Sequence, residues 1–307
     1  MKPLRIIFMG SPEFAVPSLE LLHDSPHYIA AVVSNPDKRR GRRSKPTPTD
    51  VKKRALELGL TTVDAVDLNS EDFIRNLSEL EPDLIVTVAF RILPESILAI
   101  PEKGSVNLHA SLLPKYRGAA PIHRAVMNGE TETGCTVFFL NKKVDAGEII
   151  KQKKTVIGPL ETTGDVYERL KTMGAAVLLE SVNDIATDSA ERIPQDSARA
   201  TPAPKLFKEN TKLDFHKSAR EVHNKIRGLN PFPIAWCHYD DKKMNIYKAK
   251  PGPELKLQPG KLYASDDALL VGCGEGTIEI RELQLPGTKR MTGKDFINGY
   301  DISLSFE

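Results

Sequence analysis

Asn107-Leu108-His109 closes a short apolar run, Ser105–His109, that reads as a strand. Side chains alternate faces along a strand, so Asn107 and His109 share one face, two residues apart. An amide and an imidazole at the carboxyl end of a strand in an open α/β sheet stand where such sheets bind ligands. Together they could donate to a developing oxyanion, with the histidine also passing protons. The same pair would serve equally as a hydrogen-bonded pair inside a core. Asp145 lies in the turn Val144-Asp145-Ala146-Gly147. An acid in a turn is usually solvated, but if the fold carries it to His109 it would orient the ring. Between them, Ser111–Ile122 holds two prolines and a glycine among apolar residues. That composition makes a shaped loop, which could wall a pocket for a flat ring or be a plain surface loop.

The elements that must hold these residues alternate in type. Arg5–Gly10, Tyr28–Ser34, Leu84–Ala89 and Ser105–His109 read as strands. Phe14–Leu22, Thr49–Leu58, Glu71–Leu80 and Ala120–Met127 carry helical spacing. Alternation of this kind predicts βαβ units and a mainly parallel sheet. Gly10-Ser11-Pro12-Glu13-Phe14 closes the first strand and opens a helix, as an anion site or as a tight turn. It is not a G-x-G-x-x-G fingerprint, which argues against a dinucleotide cofactor. Two further strands, Gly134–Leu140 and Glu148–Val156, flank Asn141–Gly147, and a long amphipathic helix follows behind a Thr162/Asp165 capping box.

Composition changes after Ala186. The stretch 187–204 is small, polar and proline-bearing, and reads as a linker. It divides the chain into 1–186, an α/β domain, and 205–307. The latter holds one helix, Ser218–Arg227, and short strands at Ile234–Tyr239, Met244–Lys248, Gly260–Ala264, Ala268–Gly272 and Thr277–Leu285. Such spacing predicts a small barrel or sandwich. The N-terminal apolar run is too short for a secretory signal, and no run is long enough to span a membrane. Cys135, Cys237 and Cys273 are far apart and form no metal-binding pattern, so reduced, buried thiols in a cytoplasmic protein are expected.

The net charge of +2 hides an asymmetry. Nine Lys or Arg and two acids lie between Asp37 and Arg54, and the rest of the chain has 34 basic and 39 acidic residues. Alone, such a run is usually a solvated loop. Residues 205–307 are nearly balanced, with 17 basic and 14 acidic residues, and Lys217, Arg220, Lys225 and Arg227 form their best cationic group.

Asn107, His109 and Asp145, with Ser111–Gly118 between them, resemble the catalytic signature of the folate-dependent formyltransferases. Met9–Ala15, Pro36-Asp37 with Gly41-Arg42, Asn230–Ala235 and Pro286–Met291 are similar to motifs of the tRNA-formylating branch, and the resemblance covers nearly the whole chain. It implies a Rossmann-like N-terminal domain with a smaller OB-like β-barrel domain that binds tRNA. It implies 10-formyltetrahydrofolate as formyl donor, with no metal, and the α-amino group of methionine on initiator tRNA as acceptor. Asn107 and His109 would hold the oxyanion, Asp145 would orient His109, and Ser111, Leu112, Leu113 and Pro114 would border the folate. Arg39, Arg40, Arg42 and Arg43 would meet the tRNA, with Arg42 the best single candidate, and the protein would act as a monomer. A formyltransferase for another amine, or a hydrolase of the same folate, would share the three site residues. One departure stands out: Ala89-Phe90-Arg91-Ile92-Leu93-Pro94 is one residue shorter than the family's segment and lacks its glycine.

Overall fold

The structure, a computed structural model, describes residues 2–39 and 45–307. By contact the chain divides into two compact units. The first is built from residues 1–118, 134–155 and 168–202, and the second from 119–133, 156–167 and 203–307.

The strands of the first sheet and its surroundings are β1 (Arg5–Gly10), β2 (Tyr28–Ser34), β3 (Lys38–Arg39), β4 (Pro46–Thr47), β5 (Thr62–Asp64), β6 (Leu84–Val88), β7 (Ser105–His109), β8 (Glu132–Phe139) and β9 (Ile149–Val156). Seven of them form one sheet in the order β5-β2-β1-β6-β7-β8-β9, and β3 and β4 make a separate pair. The pairings from β5 to β7 are parallel, and β8 runs antiparallel to β7. This is the mainly parallel sheet that the alternating pattern predicts, of the Rossmann-like kind that the resemblance implies. Ile6, Ile7, Phe8 and Met9 on β1 are fully buried, as a central parallel strand covered on both faces requires. Helices α1 (Val16–His23), α2 (Asp50–Glu57), α3 (Glu71–Ser78), α4 (Glu95–Leu98) and α5 (Pro121–Met127) follow strands as expected. The three-residue β5 escaped the sequence reading because Thr62-Val63-Asp64 is too short to carry a period.

Helix α6 (Thr163–Ala186) opens on the predicted capping box, with Asp165 accepting from Thr162 N at 2.8 Å. Val166, Leu170, Val177, Val182 and Ile185 are buried along it. Gly174 sits where a Cβ would lie 3.0 Å from the Leu108 side chain and 3.1 Å from Cys135 Sγ. A glycine there lets α6 close on β7 from the face opposite Asn107 and His109.

The segment 187–204 is polar and largely exposed, yet it is tied to the first unit at several points. Ile193 exchanges backbone hydrogen bonds with Ile149 at 2.8 and 2.9 Å, and Pro202 bridges Arg117.

In the second unit, α7 (Ala219–Gly228) begins at the Ser218/Glu221 capping box and buries Val222 and Ile226. Strands β10 (Ala235–Tyr239), β11 (Lys242–Pro251), β12 (Leu262–Ser265), β13 (Ala268–Gly272) and β14 (Thr277–Gln284) form an antiparallel sheet ordered β10-β11-β14-β13-β12, with β15 (Met291–Thr292) on β14. This is the smaller, OB-like β domain. The short α8 (Gly293–Gly299) was not foreseen, since two glycines dilute its pattern and its Thr292/Asp295 box was the only signal. Its Phe296 is fully buried beside Tyr239, ring centroids 5.0 Å apart. All three cysteines are buried and unpaired, and burial pushes Cys135 up to about 12. Among the described residues no helix is long and apolar enough to cross a membrane.

His223 on α7 is 5 % exposed, and burial, then the nearby Arg227, lowers its pKa from the ordinary 6.5 to about 4. The unfolded chain therefore binds a proton there that the folded chain refuses. The contribution is complete above about pH 6.5 and is lost as pH falls from there towards about 4. The unfolding midpoint is expected to drop on acidification from pH 7.5 to 5, and to drop less in His223→Gln. Equal losses in the two proteins would show that another group carries the acid sensitivity.

Candidate active site

Parallel strands β6 and β7 are in register with Thr87 opposite Asn107. The register lets the Thr87 hydroxyl donate to Asn107 Oδ1 at 2.8 Å. With its oxygen engaged, the Asn107 amide turns its NH₂ outward as a donor. Asn107 lines a pocket at the carboxyl end of the sheet together with Thr87, Phe90, Leu140, Val144 and Asp145.

His109 lies one pleat further along β7 and is 6 % exposed. Its Nε2 is 2.8 Å from the Tyr116 carbonyl oxygen. A carbonyl can only accept, so Nε2 carries the hydrogen, and in the neutral ring Nδ1 is the bare nitrogen. Nδ1 faces Asp145 Oδ2 at 3.9 Å. That separation is too long for a hydrogen bond and short enough for strong electrostatic contact.

Asp145 reaches this place through a constrained turn. Its backbone is left-handed, with φ of 48°, a conformation that Asp tolerates better than most residues. A Cβ on Gly147 would come within 1.7 Å of the Phe139 carbonyl oxygen, so only glycine fits there. Oδ2 of Asp145 accepts from the Gly118 backbone N–H at 2.8 Å, which fixes the carboxylate. Of the three residues chosen from the sequence, Asn107 and Asp145 thus line one pocket, and His109 stands buried beside Asp145.

Ser111 is fully buried and Leu113 nearly so, and neither lines the pocket. Thr136 Oγ1 donates to the Ser111 carbonyl at 2.6 Å and accepts from Leu113 N at 3.1 Å, while Gln152 Nε2 donates to the Leu113 carbonyl at 2.9 Å. These bonds fix the loop that carries Tyr116 to His109, with Leu112 and Pro114 its half-buried members. Phe90, Leu93, Leu140 and Val144 give the pocket an apolar wall. Phe90 and Leu93 belong to the Ala89–Pro94 segment that the resemblance singles out, whereas no local pattern marked Leu140 and Val144, whose place depends on strand order. In the segment lacking the family's glycine, Ala89 adopts φ of 48°, and Arg91 donates to the Ala65 carbonyl while lining the pocket.

Of the basic segment, Arg39 is exposed on β3, and Arg40, Arg42 and Arg43 lie outside the described residues. Its base is well anchored. Ser11 Oγ accepts from Asn35 N at 3.1 Å and Nδ2 at 2.8 Å, and Lys52 bridges Asp37 at 2.7 Å and Asp64 at 2.8 Å. Arg54 pairs with Glu20 and Glu57, so Lys52 and Arg54 serve the fold. In the second unit Arg227 is buried and donates to the carbonyls of Gly158 and Glu161, and Lys225 donates to the Lys212 carbonyl. These two are structural cations, which leaves Lys217 and Arg220 of the group picked from sequence.

Residues 4–182 match the formyl transferase family, and residues 205–301 match the formyl transferase C-terminal domain. The methionyl-tRNA formyltransferase of Moorella thermoacetica is 44% identical over 97% of each chain, and that of Porphyromonas gingivalis is 42% identical over 98% of this chain and 97% of its own. Among solved structures, the sugar 3N-formyl transferase WlaRD superposes with a TM-score of 0.67 at 19% identity, over 94% of this chain and all of that one, a likeness of fold. Both family models and a full-length match at this identity place the chain in the formyl transferase family, within its methionyl-tRNA formyltransferase branch.

Proposed function

We propose that this protein transfers the formyl group of 10-formyltetrahydrofolate to the α-amino group of methionine esterified to initiator tRNA, working as a single chain in the cytoplasm. The observation that supports the reading is that Asn107 and Asp145 line one pocket while the buried His109 turns Nδ1 to within 3.9 Å of the Asp145 carboxylate. The pocket fits the donor: Phe90, Leu93, Leu140 and Val144 offer apolar surface for a flat ring, and Arg91, Lys142 and Lys143 line it with positive charge suited to a carboxylate tail. The donor supplies a formyl carbon already activated on nitrogen.

Attack by an amine builds negative charge on the formyl oxygen, and Asn107 Nδ2 donates to it. The amine must also lose a proton. His109 Nδ1 is the open position for that proton, and Asp145 faces the nitrogen that receives it. Gly118 N–H keeps the carboxylate from turning away. No covalent enzyme intermediate is required: the amine attacks the formyl carbon directly, the bond from that carbon to the folate nitrogen breaks as the tetrahedral centre collapses, and the proton taken up at His109 passes to the departing nitrogen to leave tetrahydrofolate. The tRNA is engaged by the cationic segment containing Arg39, Arg40, Arg42 and Arg43 and by the second unit; the segment's concentration of positive charge on an otherwise mildly acidic chain supports this.

Labelled formyl is expected to pass to methionyl initiator tRNA and not to the elongator. Release of formate at the same rate without any amine would instead favour the hydrolase. Asn107→Ala should lower turnover by about 10²–10³ with the fold intact, the usual cost of one oxyanion donor. Thr87→Val keeps the volume but frees the Asn107 amide to rotate. With about 1 kcal/mol of orientation lost, turnover falls roughly fivefold. An unchanged rate would mean that the amide is held by something else. Replacing Arg39, Arg40, Arg42 and Arg43 by Ser should flatten the slope of log affinity for tRNA against log salt by about 0.7–0.9 for each phosphate left without its cation. The Michaelis constant for the folate should stay put, and an unaltered slope would move the tRNA site elsewhere.

A further inference from the structure

His109 and Asp145 do not hold each other: at 3.9 Å they share no hydrogen bond, so their spacing is set by the backbone on either side. One side is the loop ending at Tyr116, whose carbonyl takes the His109 Nε2 hydrogen. The other is the turn 145–147. A single side chain from the segment 187–204 joins them. From Glu191 to Arg199 every residue is exposed except Gln195, which is half-buried.

The Gln195 amide makes four hydrogen bonds. Its Oε1 accepts from Arg117 Nη2 at 2.7 Å and Nε at 3.2 Å. Its Nε2 donates to the Gly147 carbonyl at 2.8 Å and the Asp145 carbonyl at 3.1 Å. The orientation is chemically forced, because a guanidinium only donates and carbonyls only accept. A carboxylate in its place would meet Arg117 well and repel both carbonyls. Donation to the Asp145 carbonyl also secures the left-handed backbone that aims this carboxylate. The same segment grips the opposite loop again at Thr201, whose carbonyl accepts from Arg117 N at 2.9 Å and whose hydroxyl accepts from Tyr116 N at 2.9 Å.

We propose that Gln195 is a positioning residue for formyl transfer, its amide fixing the distance between His109 Nδ1 and the Asp145 carboxylate by tying Arg117 to the 145–147 turn. The inference rests on the roles given above to His109 and Asp145. Gln195 acts through Asp145 and not on either substrate. Its loss should therefore appear in the chemical step, while the apolar wall and the cationic segment continue to bind as before.

The test is steady-state kinetics on the full chain. Gln195→Ala should lower kcat by about ten- to a hundredfold, the usual range for a residue that orients a working group. The Michaelis constants for folate and tRNA should stay within about twofold and the melting temperature near that of the parent. Gln195→Glu keeps the acceptor for Arg117 and loses both donors, so it should fail as alanine does; a normal kcat in it overturns the proposal. Gln195→Met, of equal length, carries the comparison if the alanine variant does not fold. In an Asp145→Ala background the Gln195→Ala change should cost nothing further, and an additive loss would overturn the proposal by showing that Gln195 acts elsewhere. A fully active Asp145→Ala enzyme would sink the site assignment itself. A crippled Asp145→Ala enzyme beside a normal Gln195→Ala enzyme would sink this inference alone.

Discussion

The bond from His109 Nε2 to the Tyr116 carbonyl constrains everything built around it. Because the carbonyl cannot donate, one ring nitrogen is permanently a donor to backbone, and all proton traffic must use the other. The rest of the site is arranged accordingly. Asp145 approaches Nδ1 and not Nε2, Gly118 holds the carboxylate there, and Asn107 stands on the same face of β7 with its donor exposed to the pocket. The 111–114 loop is intelligible on these terms as well, since Thr136 and Gln152 anchor it where Tyr116 can reach His109.

Alternation within β7 is enough by itself to put Asn107 and His109 on one face. The parallel sheet was legible for the same reason: buried central strands are continuous apolar runs, and the helices between them repeat at their own period. The meeting of Asp145 with His109 was not legible from spacing, because it depends on β8 lying next to β7, a pairing between segments that carry no mutual signal. Resemblance to a family supplied that link. Thr87 was invisible on similar grounds: only the register of β6 against β7 turns a buried strand threonine into the partner of a catalytic amide.

Local composition leaves open which way a side chain faces. Ser111–Pro114 is apolar and irregular, and within it Ser111 and Leu113 are buried while Leu112 and Pro114 are half-buried. Arg227 looked like a surface cation because arginine usually is one. Its fork of donors, however, is well suited to unpaired carbonyls, and Gly158 and Glu161 provide them. In the same way, the polar segment after Ala186 has the composition of a flexible tether, and its backbone and Gln195 nevertheless find partners at Ile149, Arg117 and the 145–147 turn. Composition measures what a segment can bury, and hydrogen bonds to neighbouring backbone are not part of that measure.

Gly174 has a bearing on how this enzyme could be improved. A glycine in the middle of a 24-residue helix is an obvious target for thermostabilisation, since alanine there ordinarily gains roughly 0.5–1 kcal/mol. Here the added methyl would press on Leu108, the residue between Asn107 and His109, and on Cys135 of the adjoining strand. The helix would be stiffened at the expense of the strand that carries two of the three working side chains. A consensus-style replacement chosen on helix propensity alone would thus set the helix's gain against crowding of that strand, at a position with no chemical role of its own.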